Sequence, residues 1–131
     1  MGKSIEQLNV MFHDLQKSNY VTFDAVKKLK KIMGVYLIFT EENELLYIGN
    51  TNNFNVRFGT DLRHEKTHTL IKKMLKAKVH ADRKSAREYF TYRYKYKIYV
   101  CENKIEAEAL EHVAIWILEP KYNHNHLPVV I

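Results

Sequence analysis

The sequence predicts an α+β fold, in which a few short strands are preceded, interrupted and followed by helices. Three observations predict it. Two apolar runs flank a polar stretch and read as a strand hairpin. One later run alternates for a dozen residues, as a strand does. Apolar residues recur at helical spacing behind N-cap residues at both ends of the chain.

In chain order, Ile5, Leu8, Phe12 and Leu15 repeat at helical spacing, with Ser4 as N-cap. Thr22 caps a second helix expected to end near Met33-Gly34. Strands are expected at Val35–Phe39 and Leu45–Ile48, joined by Thr40-Glu41-Glu42-Asn43-Glu44. One helix should start near Asn53 and another span Thr69–Lys78, and Lys78–Glu88 reads as a loop. From Phe90 to Cys101 the pattern has period two, with Phe90, Tyr92, Tyr94, Tyr96, Ile98 and Val100 on one face. Arg93, Lys95 and Lys97 stand on the other. Asn103 caps the last helix, and Glu106 three residues on gives a capping-box-like pattern. Ala107, Leu110, Ala114, Ile117 and Leu118 form its apolar face, and Pro120 stops it. There is no internal repeat and no low-complexity segment.

The chain has 131 residues, 46% of them hydrophobic, and two prolines, which fits one packed domain. No uncharged apolar run approaches the ~20 residues of a membrane span. Met1–Gln7 lacks the apolar core of a signal peptide, and the single Cys101 has no partner for an internal disulfide. The expected compartment is therefore the cytoplasm.

Net charge is +6, and most of it sits in one segment. From Lys66 to Lys97 eleven basic residues face only Asp82 and Glu88, whereas Gly34–Glu65 and Cys101–Ile131 each carry two basic and five acidic residues. Such a field attracts a polyanion such as nucleic acid, although a solvated lysine-rich surface has the same composition. The stripe from Tyr92 to Tyr96 suits sheet core better than base stacking.

His64-Glu65-Lys66-Thr67-His68 spells a zinc-peptidase motif, in which two histidines would share a helix face and Glu65 would be a base. No third ligand stands out among His80, His112, Glu106 and Glu108, so this is the remoter alternative.

The hairpin carries Gly34-Val35-Tyr36 on its first strand and Tyr47-Ile48-Gly49 on its second. Arg57 follows Tyr47 by ten residues, after an Asn-bearing loop. Glu111 lies on the last helix, and Pro120-Lys121-Tyr122-Asn123 closes the run with Asn123 twelve residues beyond Glu111. These landmarks, in this order, resemble the GIY-YIG nuclease domain, including that of the excision-repair incision subunit. The resemblance covers Gly34 to Asn123. It implies a small three-stranded antiparallel sheet flanked by helices, as residues 34–131. Residues 1–33 lie outside it, and their helical spacing reads as a helical extension packed on that domain rather than a partner-binding arm.

What the resemblance implies for function is a metal-dependent DNA endonuclease. Glu111 would bind one divalent cation, Mg²⁺ or Mn²⁺, and Arg57 would hold the scissile phosphate. Tyr36 would take the proton of the attacking water or position it. Tyr47 would orient the nucleophile or the phosphate, His64 would assist proton transfer, and Asn123 would buttress the site. Contacts to nucleic acid are expected from Asn50 and Asn53 and from Arg63, Lys72, Lys73, Arg93, Lys95 and Lys97. The excision-repair branch has a lysine directly after its Tyr-x-Gly, and here that residue is Asn50. A module that binds nucleic acid on the same fold without cutting it is the alternative this suggests. A homodimer or a targeting partner would supply specificity.

Overall fold

The computed structural model describes residues 4–61 and 69–123. The order is α1 (Ile5–Lys17), α2 (Phe23–Lys27), β1 (Gly34–Phe39), β2 (Leu45–Thr51), α3 (Phe54–Val56), α4 (Thr69–Lys76), α5 (Arg83–Glu88), β3 (Lys95–Val100) and α6 (Lys104–Leu118). Two π-helical turns, Arg57–Asp61 and Tyr89–Arg93, continue α3 and α5. The expected α+β architecture is what forms: one antiparallel sheet in the order β2-β1-β3, with helices on both faces and an N-terminal helix.

The alternation of β1 decides how the layers build. Tyr36 and Ile38 point to a core shared with α2, α3, α4 and α5, through Phe23, Phe54, Phe58, Met74, Phe90 and Tyr96. Val35 and Leu37 point to the opposite core, where Ile48 meets Phe12 and Leu15 of α1 and Leu110 and Ala114 of α6. The central strand is therefore buried on both faces, and its run of apolar residues follows from that. Pairing slips between Ile38 and Phe39, which face Tyr47 and Leu45. Leu46 is the extra residue, so Leu46 and Tyr47 both pack toward the first core. Gly34 lies so close to β3 that a Cβ on it would overlap the carbonyl oxygen of Tyr99.

Helix α1 starts in a capping box, with Ser4 and Gln7 bonding each other's backbone N–H groups. It packs on the sheet as expected of the extension, and Val21 adds a two-bond bridge to Tyr96 of β3. Helix α2 ends six residues earlier than Met33. Its capping explains the stop: the Lys27 and Leu29 carbonyls accept from the side chain and the backbone of Asn55, and Ile32 accepts from Phe54. The end of α2 and the start of α3 satisfy one another's free backbone groups. Helix α6 is capped by Asn103, which accepts from Glu106, and it ends at Glu119 in the left-handed conformation before Pro120.

Two expectations fail in the middle of the chain. Lys78–Glu88 is not all loop: Asp82 accepts from the Ser85 N–H and starts α5. The alternating pattern also does not begin a strand at Phe90. Residues Tyr89–Arg93 form a π-helical turn, and only Lys95–Val100 is strand. Phe90 and Tyr94 are buried one helical turn apart while Tyr92 is 80% exposed, a helical arrangement that period two imitates. Among the described residues no helix is long and apolar enough to cross a membrane.

Candidate active site

The site forms along the outer rim of β2, an edge strand. Residues Lys121–Asn123 run along that rim and complete it. Leu45 and Leu46 accept from the backbones of Lys121 and Tyr122. The Asn123 side chain then takes both free groups of Ile48, accepting from its N–H and donating to its carbonyl, each at 3.0 Å. Asn123 is 2% exposed. An amide carries one donor and one acceptor at the spacing a neighbouring strand would offer, so a single side chain caps the strand edge.

Gly49 and Tyr36 are partners across the β1–β2 ladder. The Tyr36 ring lies over Gly49, where a Cβ would meet the phenol oxygen at 2.5 Å and the adjoining ring carbon at 2.6 Å. Only glycine leaves room for that ring. Tyr36 is 1% exposed, edge-on to Phe58 and tilted against Tyr47 at 6.4 Å between ring centres. Its hydroxyl is thus fixed at the strand that carries Tyr47.

Tyr47 is half-buried. Burial, and next the negative charge of Glu111, push its phenol above the ordinary tyrosine range, and Arg57 pulls the other way. Tyr47, Glu111 and Arg57 therefore lie within electrostatic reach of one another. At neutral pH the Tyr47 phenol keeps its proton and is a hydrogen-bond donor.

Glu111 stands on the α6 face that looks at β2. Its Oε1 accepts from Asn50 Nδ2 at 2.8 Å, across sixty-one residues of sequence. The amide fixes the carboxylate without neutralising it, which a lysine at that place would do. Arg57 opens the first π-helical turn, a feature found mostly as single turns at functional sites. Its Nε is buried with no hydrogen-bond partner, and a buried guanidinium nitrogen left so is costly. Arg57 lines an open cleft with Met33, Asn50, Asn52, Lys104 and Ala107.

The structure thus brings Tyr47, Asn50, Arg57, Glu111 and Asn123 to the rim of β2, with Tyr36 buried against Gly49 of that strand. Of the other candidates among the described residues, only Lys73 reaches this rim. Asn53 caps α3, its Oδ1 accepting from Asn55 and from Lys31. Lys73 donates to the Tyr122 carbonyl, and Lys72 lies on α4. Lys95 and Lys97 lie on β3, at the other edge, two strand spacings or roughly 10 Å from β2, and Arg93 ends the π-helical turn before it. Arg93 pairs with Glu41 at 2.8 Å, Lys95 donates to Asn43, and Lys97 donates to the Gln16 carbonyl. Lys95 and Lys97 also cover the Tyr20 ring. Arg63, His64 and the rest of the His64–His68 motif lie outside the described residues. Among the described residues no group of three or more His, Cys, Asp and Glu could hold a metal ion. His80 is buried and shares a 2.9 Å hydrogen bond with the Tyr94 hydroxyl.

Gly49, read in the sequence only as part of its motif, is the residue that makes room for Tyr36, and Lys104, not singled out in the sequence, lines the cleft. A glycine directly opposite a strand tyrosine signals the first. A lysine at the first position of a helix, where the dipole disfavours a cation, signals the second.

A family model described as the GIY-YIG catalytic domain matches residues 32–123. Over 123 residues the chain is 30% identical to the UvrABC system protein C of Anaplasma phagocytophilum (strain HZ), covering 94% of this chain and 17% of that protein. It is 29% identical over 100 residues to the UvrABC system protein C of Wolbachia sp. subsp. Drosophila simulans (strain wRi), covering 76% of this chain and 14% of that one. The chain spans between 14% and 17% of the length of these curated relatives.

Proposed function

The chain belongs to the GIY-YIG catalytic domain family, a family of endonucleases, and from that premise we propose that it hydrolyses phosphodiester bonds of DNA with one divalent cation. One observation carries the reading. At the rim of β2 a carboxylate, Glu111, is locked by Asn50 near an arginine whose buried Nε has no partner. Arg57 lines the same open cleft as Asn50, where its guanidinium can meet a phosphate.

The residues present fit a hard cation such as Mg²⁺ or Mn²⁺ in one respect: the half-buried Glu111 offers an oxygen ligand in a defined orientation, and waters and phosphate oxygens complete such shells. Bound at Glu111, the cation would supply Lewis-acid stabilisation of the leaving oxygen.

The protein's own groups divide the remaining work. Arg57 holds the scissile phosphate and offsets the charge that builds on its oxygens. Tyr36 meets the water, positioning it or taking its proton. Tyr47, protonated and half-buried, donates to a substrate oxygen. Asn50 keeps the Glu111 carboxylate in place, and Asn123 holds the strand that carries Tyr47 and Gly49. The cytoplasm is the compartment in which this activity would meet its substrate.

Incubation with plasmid, single-stranded and branched DNA, each with and without Mg²⁺ or Mn²⁺, tests the reading. Metal-dependent nicking supports it. Binding without cleavage under every condition replaces it with a nucleic-acid-binding module.

A further inference from the structure

The cleft that Arg57 lines has a second cation on its far wall. Lys104 is the first residue of α6, is exposed, and borders the same cleft as Asn50, Asn52 and Arg57. We propose that Lys104 is a positioning residue that grips a backbone phosphate flanking the scissile one. The inference rests on the nuclease reading above and deepens it by naming where the uncut part of the strand is held.

Four observations carry it. Lys104 forms no ion pair among the described residues, so no acid of this chain there uses its charge. It also stands at the end of α6 where the helix dipole is positive and a cation is disfavoured. A charge placed against its helix and left unpaired is available to an outside anion.

The facing wall provides the third. Arg57 brings a guanidinium to the cleft, and Asn50 lines it with an amide rather than a charge. Among the cleft-lining residues the cationic groups are Arg57 and Lys104. Arg93, Lys95 and Lys97 are tied to Glu41, Asn43 and the Gln16 carbonyl.

The fourth is spacing. Lys104, Ala107 and Glu111 follow one another at three and four residues, and so share one face of α6. Seven residues of α-helix span roughly 10 Å. That is too far for Lys104 and Glu111 to meet one phosphate head-on, and close enough for neighbouring phosphates of one strand.

The test is binding of fluorescein-labelled duplex and single-stranded DNA to the 131-residue chain over a range of salt, for wild type, Lys104→Ala and Lys104→Arg. Lys104→Ala should weaken binding several-fold and reduce the slope of log K against log salt by ~0.9 on duplex or ~0.7 on single strands, the value of one phosphate contact. Lys104→Arg should restore both. The melting temperature of Lys104→Ala should equal or slightly exceed wild type, because a cation leaves the positive end of a helix. In cleavage, KM should rise while kcat is kept.

Wild type that binds DNA while Lys104→Ala shows the same affinity and slope overturns this inference and leaves the nuclease reading standing. Wild type that binds no DNA at low salt overturns both. An affinity loss that accompanies a lowered melting temperature, or that arginine does not restore, assigns Lys104 to structure and overturns the inference alone.

Discussion

The Tyr36 hydroxyl lies over the Cα of Gly49, its partner on β2, closer than any side chain there would allow. Gly49→Ala should therefore push the ring out of place. Overpacking of this kind costs about 1–3 kcal/mol, so the variant should fold with a lowered melting temperature. Cleavage should fall more than stability does, because the hydroxyl moves. A plasmid-nicking assay beside a thermal melt checks this, and wild-type cleavage by Gly49→Ala would detach the Tyr36 position from function.

Tyr36→Phe removes the hydroxyl and keeps the ring against Phe58 and Tyr47. The fold should survive, and cleavage should fall by ~10²–10⁴, the usual contribution of general acid–base catalysis. Single-turnover rates measure it. An unchanged rate would leave Tyr36 as a core residue.

Glu111→Gln retains an oxygen to accept from Asn50 while removing the charge. The variant should fold normally and bind DNA at least as tightly as wild type, since one negative charge leaves the site. Its cleavage in Mg²⁺ should drop by ~10²–10³ or more, as when a major electrostatic group is lost. Equal cleavage by Glu111→Gln and wild type would remove Glu111 from the reaction.

Replacing Arg93, Lys95 and Lys97 together with Gln should hardly change the salt dependence of DNA binding, because these side chains are already engaged by Glu41, Asn43 and the Gln16 carbonyl. Three phosphate contacts would lower the slope by ~2.7, so the two outcomes are far apart. A modest loss of thermal stability is expected from the severed contacts with Tyr20 and Glu41.

Burial lowers the pKa of His80 below the ordinary histidine value. The folded chain therefore resists a proton that the unfolded chain accepts. Stability from this group is present above the unfolded value near ~6.5 and is lost as pH falls through that value toward the folded one. Melting temperatures between pH 8 and pH 5 should decline on the acid side, and His80→Gln should flatten that limb. A variant with the same acid slope as wild type would place the proton elsewhere.

The elements legible in the sequence are those that local chemistry determines. Ser4, Thr22 and Asn103 cap helices because a short polar side chain can reach the first free N–H groups. The hairpin was readable because apolar runs flank a polar turn. What stayed hidden depends on distant partners. The aromatic run from Phe90 to Tyr94 looks alternating, and only packing beneath α4 and α5 makes its first part helical. The Asn50–Glu111 bond joins residues sixty-one apart, so neither local stretch signals it. The clustering of basic residues between Lys66 and Lys97 was plain, but which of them face the cleft depends on the order of strands, to which charge is blind.

The amide of Asn123 also sets a time at which the strand edge can be complete. It closes β2 at Ile48 across seventy-five residues. During synthesis, both tyrosines, Arg57 and Glu111 leave the ribosome before it does. Until Asn123 follows, Ile48 presents an open backbone edge and the strand under Tyr47 is not held. A nascent chain stopped short of this residue carries both tyrosines, Arg57 and Glu111 but leaves the edge of β2 at Ile48 unclosed.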